Sequence, residues 1–239
     1  MRFTTEDGRI GEILEGGQVV FLTEQQLLEE KGIIKKKEIK AQIVKKEPPI
    51  KLEKMQKLAF DSAMRGENIF ISGLPGSGKS FVTKEIIKAL NKKKVPVAVL
   101  SSTGISAALI SGQTWHSMWS IFPEKVLTIK NQKLVKPYKA NLWKKLKVVI
   151  VDEASMLRPD VLDCAFWNMI FNGVDPFKKQ WIFIADLKQL SPVLTDDEKP
   201  HFHYEKNEFR YAEHYEKLDV TEIELDVVKR QSDPEFISA

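Results

Sequence analysis

Gly73-Leu74-Pro75-Gly76-Ser77-Gly78-Lys79-Ser80 decides how the rest of the 239-residue chain is read. The β-branched and aromatic run Asn68-Ile69-Phe70-Ile71-Ser72 precedes it, short enough for a buried strand. Phe81, Val82, Ile86, Ile87 and Leu90 follow at helical spacing. Strand, glycine loop and helix start thus stand in the order of a G-x-x-x-x-G-K-S phosphate loop, whose amides lie at a helix N-terminus where anions are favoured. Each residue type has its own work there. Gly73, Gly76 and Gly78 let the backbone turn and approach phosphate oxygens, with Pro75 and Ser77 between them. Lys79 neutralises the β and γ charges, and the Ser80 hydroxyl ligates Mg²⁺. The stretch points to a nucleoside triphosphate and is silent on what its energy drives.

Composition bounds the rest. A chain with 43% apolar and 29% charged residues has room for one α/β domain and a small appendage. No apolar run approaches membrane-spanning length and no secretory signal opens the chain, so the expectation is a cytoplasmic protein with no membrane partner. The single cysteine, Cys164, lies in an apolar helical pattern and is expected to be buried. A net charge of +4 is too small to announce nucleic acid by itself.

Outward from the loop, residues 1–47 read as a small appendage of unknown role. Ile10–Leu14 and Gln18–Leu22 flank Glu15-Gly16-Gly17 as a β-hairpin, and Thr23 with Gln26 makes the capping box of a short helix. A lysine cluster from Lys35 to Lys46 follows, and Pro48-Pro49 marks a linker. Residues 52–64 form a helix ending near Gly66 that carries Gln56, whose amide can donate and accept at once. Lys92-Lys93-Lys94 leads into a buried strand over Val95–Leu100, and Ser101-Ser102-Thr103-Gly104 then opens a helix over Ile105–Ile110. In Gln113-Thr114-Trp115-His116-Ser117-Met118-Trp119 the tryptophans read best as core, while the polar residues suit a single-stranded backbone. Val126–Ile129 and Leu134–Val135 around Lys130–Lys133 predict a second hairpin, basic and exposed, inserted between core strands.

Lys147–Val151 is a near-continuous β-branched strand ending at Asp152-Glu153, where carboxylates face the ligand crevice of a parallel sheet. Asp152 is placed to hold Mg²⁺ with Ser80, and Glu153 to orient or deprotonate water. Pro159–Phe171 reads as a helix and Trp181–Ala185 as a strand that brings Asp186 and Gln189 to the same edge. A last strand covers Leu218–Leu225 and runs into Val228-Lys229-Arg230-Gln231.

Taken in order, GLPGSGKS, LSSTGISAA, TWHSM, VVIVDEASML, FIADLKQLSPV and VVKRQSDPEFI resemble the motifs of the superfamily 1B DNA helicases of RecD-like, Dda-like and Pif type. The resemblance covers about residue 52 to the C-terminus. It implies an α/β fold, a P-loop NTPase with a RecA-like parallel sheet flanked by helices over 52–239, with residues 120–140 as an inserted pin-like hairpin. It further implies ATP with Mg²⁺, single-stranded DNA as partner and 5′-to-3′ movement. Gln56 matches the adenine-reading glutamine, Gln189 the γ-phosphate sensor and Arg230 the arginine that reaches the γ-phosphate. Thr103, Thr114 and His116 match strand-gripping segments, and Lys130 and Lys133 fall in the hairpin turn. Ala185 stands where the family commonly has glycine before Asp186.

Such enzymes close two RecA-like domains on ATP, and the motifs here account for the first alone. The expectation is an N-terminal motor domain that binds nucleotide and single strand weakly and does not unwind by itself. Two other readings exist: a binding module whose partner supplies the second domain in trans, and a P-loop small-molecule kinase. The kinase reading gives TWHSM and QLSPV no role and finds few arginines for a lid.

Overall fold

The computed structural model describes residues 2–4, 10–13, 19–21, 52–102, 112–121, 126–131, 134–186, 188–189, 192, 194–196, 198 and 208–226. Strands β1 (Arg2–Thr4), β2 (Ile10–Ile13) and β3 (Val19–Phe21) form an antiparallel sheet in which Glu12 pairs with Val20. The expected hairpin is thus β2–β3, and β1 extends it to three strands. The helix expected from Thr23, the lysine cluster, the Pro48-Pro49 linker and the helix over Ile105–Ile110 lie outside the described residues.

The main sheet has six parallel strands in the order β6-β5-β7-β8-β4-β9, formed by Gln113–Thr114, Val97–Ser101, Val148–Val151, Gln180–Ile184, Asn68–Gly73 and Val220–Leu225. Its central members are buried on both faces, which is why they are runs of Val, Ile and Phe rather than alternating sequences. Helices α1 (Lys54–Arg65) and α2 (Lys79–Lys92) cover one face, where Ala59, Ala63, Val82 and Ile86 meet Ile69, Ile71, Ile150, Ile182 and Ile184. The other face packs on α3 (Trp115–Trp119), α4 (Pro137–Lys145), α5 (Pro159–Phe171) and α6 (Glu213–Glu216). Trp119 is central to that layer, its ring centroid 5.6 Å from Trp143 and 6.0 Å from Trp181. Trp115, Trp119 and Cys164 are buried, as their apolar patterns predict.

The inserted hairpin is corrected in its described part. Val126–Thr128 and Leu134–Val135 are not strands, and Ile129–Asn131 form a 3-10 turn. Side chains take the amides a ladder would need: Thr128 N donates to Asn131 Oδ1 at 2.7 Å, Leu127 N to Asp160 Oδ2 at 2.9 Å and Val135 N to Asn172 Oδ1 at 2.9 Å. Leu127 turns into the core instead of pairing. Helix α4, which no sequence pattern announces, begins with Pro137 in its first turn.

Candidate functional site

The loop after β4 is shaped by two glycines. Gly73 has φ +148°, and a Cβ there would meet Ser77 Oγ at 2.7 Å and the Leu225 carbonyl at 2.8 Å. Gly78 has φ +90°, and a Cβ there would run into the Gln56 amide. Between them Ser77 N donates to Leu74 O at 3.1 Å, closing the turn. Helix α2 then starts with Phe81 N and Val82 N both donating to Gly78 O at 3.0 Å. Gln56 locks α1 to this loop. It is 2% exposed, its Nε2 donates 3.2 Å to Ser77 O, and its Oε1 accepts from Glu53 N at 3.2 Å.

Parallel pairing brings the carboxylates to the same edge. Ile71 of β4 pairs with Ile184 of β8, and Phe183 of β8 with Val151 of β7, so β8 lies between the glycine loop and Asp152. Asp186 therefore stands nearest the lysine: Lys79 Nζ is 3.9 Å from Asp186 Oδ2 and donates to Gly73 O at 2.7 Å and Leu74 O at 3.1 Å. Asp186 is 3% exposed; Oδ1 accepts from Lys188 N at 3.0 Å, while Oδ2 is buried with no hydrogen-bond donor. Burial holds the Asp152 carboxyl above the usual carboxylate range, and the charge of Glu153 adds to this. The Glu153 amide, donating to Asp152 Oδ1 at 3.0 Å, and the Lys79 charge work against it. Glu153 itself sits at φ +56°, a left-handed conformation that costs a non-glycine residue about 1–2 kcal/mol.

This set fits a phosphate and a hard divalent cation. Gly73 and Gly78 leave no room for a Cβ against Ser77, Leu225 and Gln56, an ammonium stands beside the loop, and the neighbouring donors are all oxygen, with one orphaned carboxylate oxygen among them. Ser80 is exposed on the first turn of α2 at this edge. Gln189 is exposed, its backbone N–H donating to Asp186 O at 3.0 Å.

The residues expected on the DNA side divide. Thr114 caps α3, its hydroxyl accepting from Ser117 N at 3.3 Å. His116 is half-buried; burial first, then the Arg158 guanidinium, holds its imidazole below the ordinary range, with Asp160 opposing. Lys130 is exposed on the 3-10 turn. Thr103, Lys133 and Arg230 lie outside the described residues.

Sequence reading missed a cluster behind the carboxylates. Arg158 donates Nε at 2.9 Å and Nη2 at 2.6 Å to the two oxygens of Asp160, and Nη1 at 2.7 Å to Glu198 Oε1. Glu198 Oε2 accepts from Thr195 N at 2.8 Å, and Asp160 Oδ2 from Leu127 N at 2.9 Å. One guanidinium thus ties the start of α5 to the loop after Asp186 and to the segment before the 3-10 turn. The Arg-Pro-Asp tripeptide just past Asp152-Glu153 was the available signal.

The PIF1-like helicase family model matches residues 51–236. The ATP-dependent DNA helicase PIF1 of Danio rerio is 32% identical over 192 residues, covering 79% of this chain and 29% of that protein. Bacteroides Pif1 bound to single-stranded DNA superposes with a TM-score of 0.69 at 30% identity, over 79% of this chain and 45% of the solved one. Bacteroides Pif1 in complex with ADP-AlF3 and single-stranded DNA superposes with a TM-score of 0.68 at 32% identity, over 80% of this chain and 45% of the other. The chain spans less than a third of that curated relative and under half of those solved chains. The six-stranded parallel sheet with its glycine loop is a RecA-like P-loop fold, that of the first RecA-like domain of superfamily 1B Pif1-type helicases. By the family match over most of its length, the chain belongs to the PIF1-like helicases.

Proposed function

We propose that residues 52–239 are the first motor domain of an ATP-dependent 5′-to-3′ DNA helicase working in the cytoplasm, taking ATP with Mg²⁺ and single-stranded DNA, with residues 1–47 as an appendage. The observation that carries this is the parallel pairing that brings Asp152 and Asp186 to one sheet edge, with Lys79 3.9 Å from Asp186 after a loop whose Gly73 and Gly78 leave no room for a Cβ. The solved relatives that hold ADP-AlF3 and single-stranded DNA support the same ligands here.

In this reading the loop amides of residues 73–78 cradle the phosphates and Lys79 neutralises the β and γ oxygens, leaving its carbonyl partners to do so. Ser80 and Asp152 would hold Mg²⁺, which would supply charge neutralisation for the bound polyphosphate. Glu153 orients the attacking water and accepts its proton, Gln189 and Arg230 report on the γ-phosphate, and Gln56 borders the adenine. Thr103, Thr114, His116, Lys130 and Lys133 line the path of the single strand. Translocation needs a second RecA-like domain closing over the nucleotide.

The test is direct. The 239-residue polypeptide should bind a fluorescent ADP analogue with Mg²⁺ and a short oligo-dT, and should not separate a forked duplex. Absence of nucleotide binding, or robust unwinding by these residues alone, defeats the proposal. A second reading has a partner polypeptide supply the other domain in trans. Under it, adding that partner stimulates hydrolysis; under the first reading the two domains share one polypeptide.

A further inference from the structure

Parallel pairing gives the main sheet two unlike edges. At the edge where strands end stand Asp152, Glu153 and Asp186; at the opposite edge, three neighbouring strands begin side by side, since Val97 pairs with Val148 and Val148 with Gln180. Each is led in by lysines. Lys92, Lys93 and Lys94 precede β5, Lys144, Lys145 and Lys147 precede β7, and Lys178 and Lys179 precede β8.

These leads touch. Lys147 N donates to Pro96 O at 3.0 Å and Gln180 N to Lys147 O at 2.9 Å. Lys179 is 7% exposed, and its ammonium donates to Trp143 O at 2.7 Å and Leu146 O at 2.8 Å, tying down the last turn of α4. The other seven are exposed. Only Asp175 opposes them within the segments 92–96, 144–147 and 175–179, at 3.6 Å from Lys178. Eight lysines against one aspartate is an excess of seven, more than the +4 of the whole chain, so everything else nets −3. A field that concentrated is not the average of a mildly basic protein.

We propose that this lysine edge binds the sugar-phosphate backbone of double-stranded nucleic acid, at a surface separate from the nucleotide loop. Lysines are point charges on flexible stems, suited to phosphates and unable to read bases as forked donors do. Single strands are held by stacking as well as charge. Phe177, an exposed ring in the lead to β8, has its centroid 5.4 Å from Phe166 and stands in a layer that already engages it. Three strands spaced about 4.8 Å apart spread their leads over roughly 10 Å, within the approximately 6–12 Å groove widths across which a duplex offers two phosphate rows.

The test is fluorescence anisotropy of the 239-residue chain with a 20-base-pair duplex over a salt series, comparing Lys93→Gln/Lys94→Gln/Lys144→Gln/Lys145→Gln with the parent. The variant should lose at least about tenfold in duplex affinity, and its salt slope should fall by about 0.9 for each phosphate that is no longer neutralised. Binding of an ADP analogue and of oligo-dT should hold, as should duplex affinity in a control with Lys54, Lys57, Lys84 and Lys217 changed to Gln. Unchanged duplex binding in the test variant, or equal losses in the control, overturns the proposal. So does tighter binding of the parent to polyglutamate or to phosphatidylserine vesicles than to the duplex at the same salt. Loss of ADP binding by the parent would sink the motor-domain reading and leave this one standing.

Discussion

At the scale of single residues, charge rather than packing carries the site. Lys79→Ala removes an ammonium whose charge-assisted bonds to phosphate are worth about 1.5–3 kcal/mol each, so ADP affinity should fall by about 100-fold or more, while the melting temperature should fall by about 2–4 °C as Gly73 O, Leu74 O and Asp186 lose that charge. Calorimetric titration and a thermal melt check both. Gln56→Ala leaves Ser77 O without its amide donor. ADP binding should weaken about five- to tenfold, the worth of one such bond, and the preference for adenine over guanine nucleotides should fall toward one. Asp152 has a pH signature. A carboxyl held above its ordinary 3.8 keeps its proton longer in the folded state, so stability falls as pH rises between that value and the raised one. Asp152→Asn should therefore be more stable than the parent at pH 7, with the gain vanishing below about pH 4 in a melting series. The placement of Lys79, Ser80 and Asp152 at one sheet edge was legible in the sequence, because the strands β4 and β7 before them announce themselves. The role of Arg158 was not, because Asp160 stands two residues away but Glu198 forty, and that second contact exists only in three dimensions.

At the scale of elements, side-chain hydrogen bonds overrode a local pattern. The alternation in Val126–Val135 suggests paired strands, yet Asp160, Asn131 and Asn172 capture the backbone amides first. Arg158 holds that arrangement together through Asp160. Arg158→Ala should cost roughly 2–3 kcal/mol, below the 3–5 of a fully buried pair because the guanidinium side chain keeps 15% exposure and is partly screened. Arg158→Lys should recover little, since an ammonium cannot serve Asp160 in bidentate fashion and Glu198 as well. Urea unfolding at pH 7 measures both. Helix α4 escaped the sequence reading because its anchors are distant: Trp143 Nε1 donates to Met118 O at 3.2 Å, and Lys179 caps its last carbonyls. A buried lysine leaves no periodic trace.

At the scale of the molecule, the two edges of the sheet differ in charge. The nucleotide loop and its carboxylates occupy one, and a lysine-rich rim the other, a separation that follows from six strands all running the same way. With residues 52–239 as one motor domain, the 239-residue chain should bind Mg²⁺-nucleotide and oligo-dT yet turn over ATP far below the rate reached once a second RecA-like domain is present, a difference that a coupled phosphate-release assay would read. The chain's sequence alone determined the order of β-branched strands, the glycine loop and the acids that follow Val151 and Ala185, because burial on both faces and tight turns leave local signatures. Which strand lies between the loop and Asp152, which hydrogen bonds replace a hairpin, and which lysines gather at one edge were decided only by the tertiary structure. Most of those are contacts between residues 30 to more than 100 positions apart, as from Asp160 to Leu127 or Trp181 to Asn68, and no local pattern encodes which partner wins.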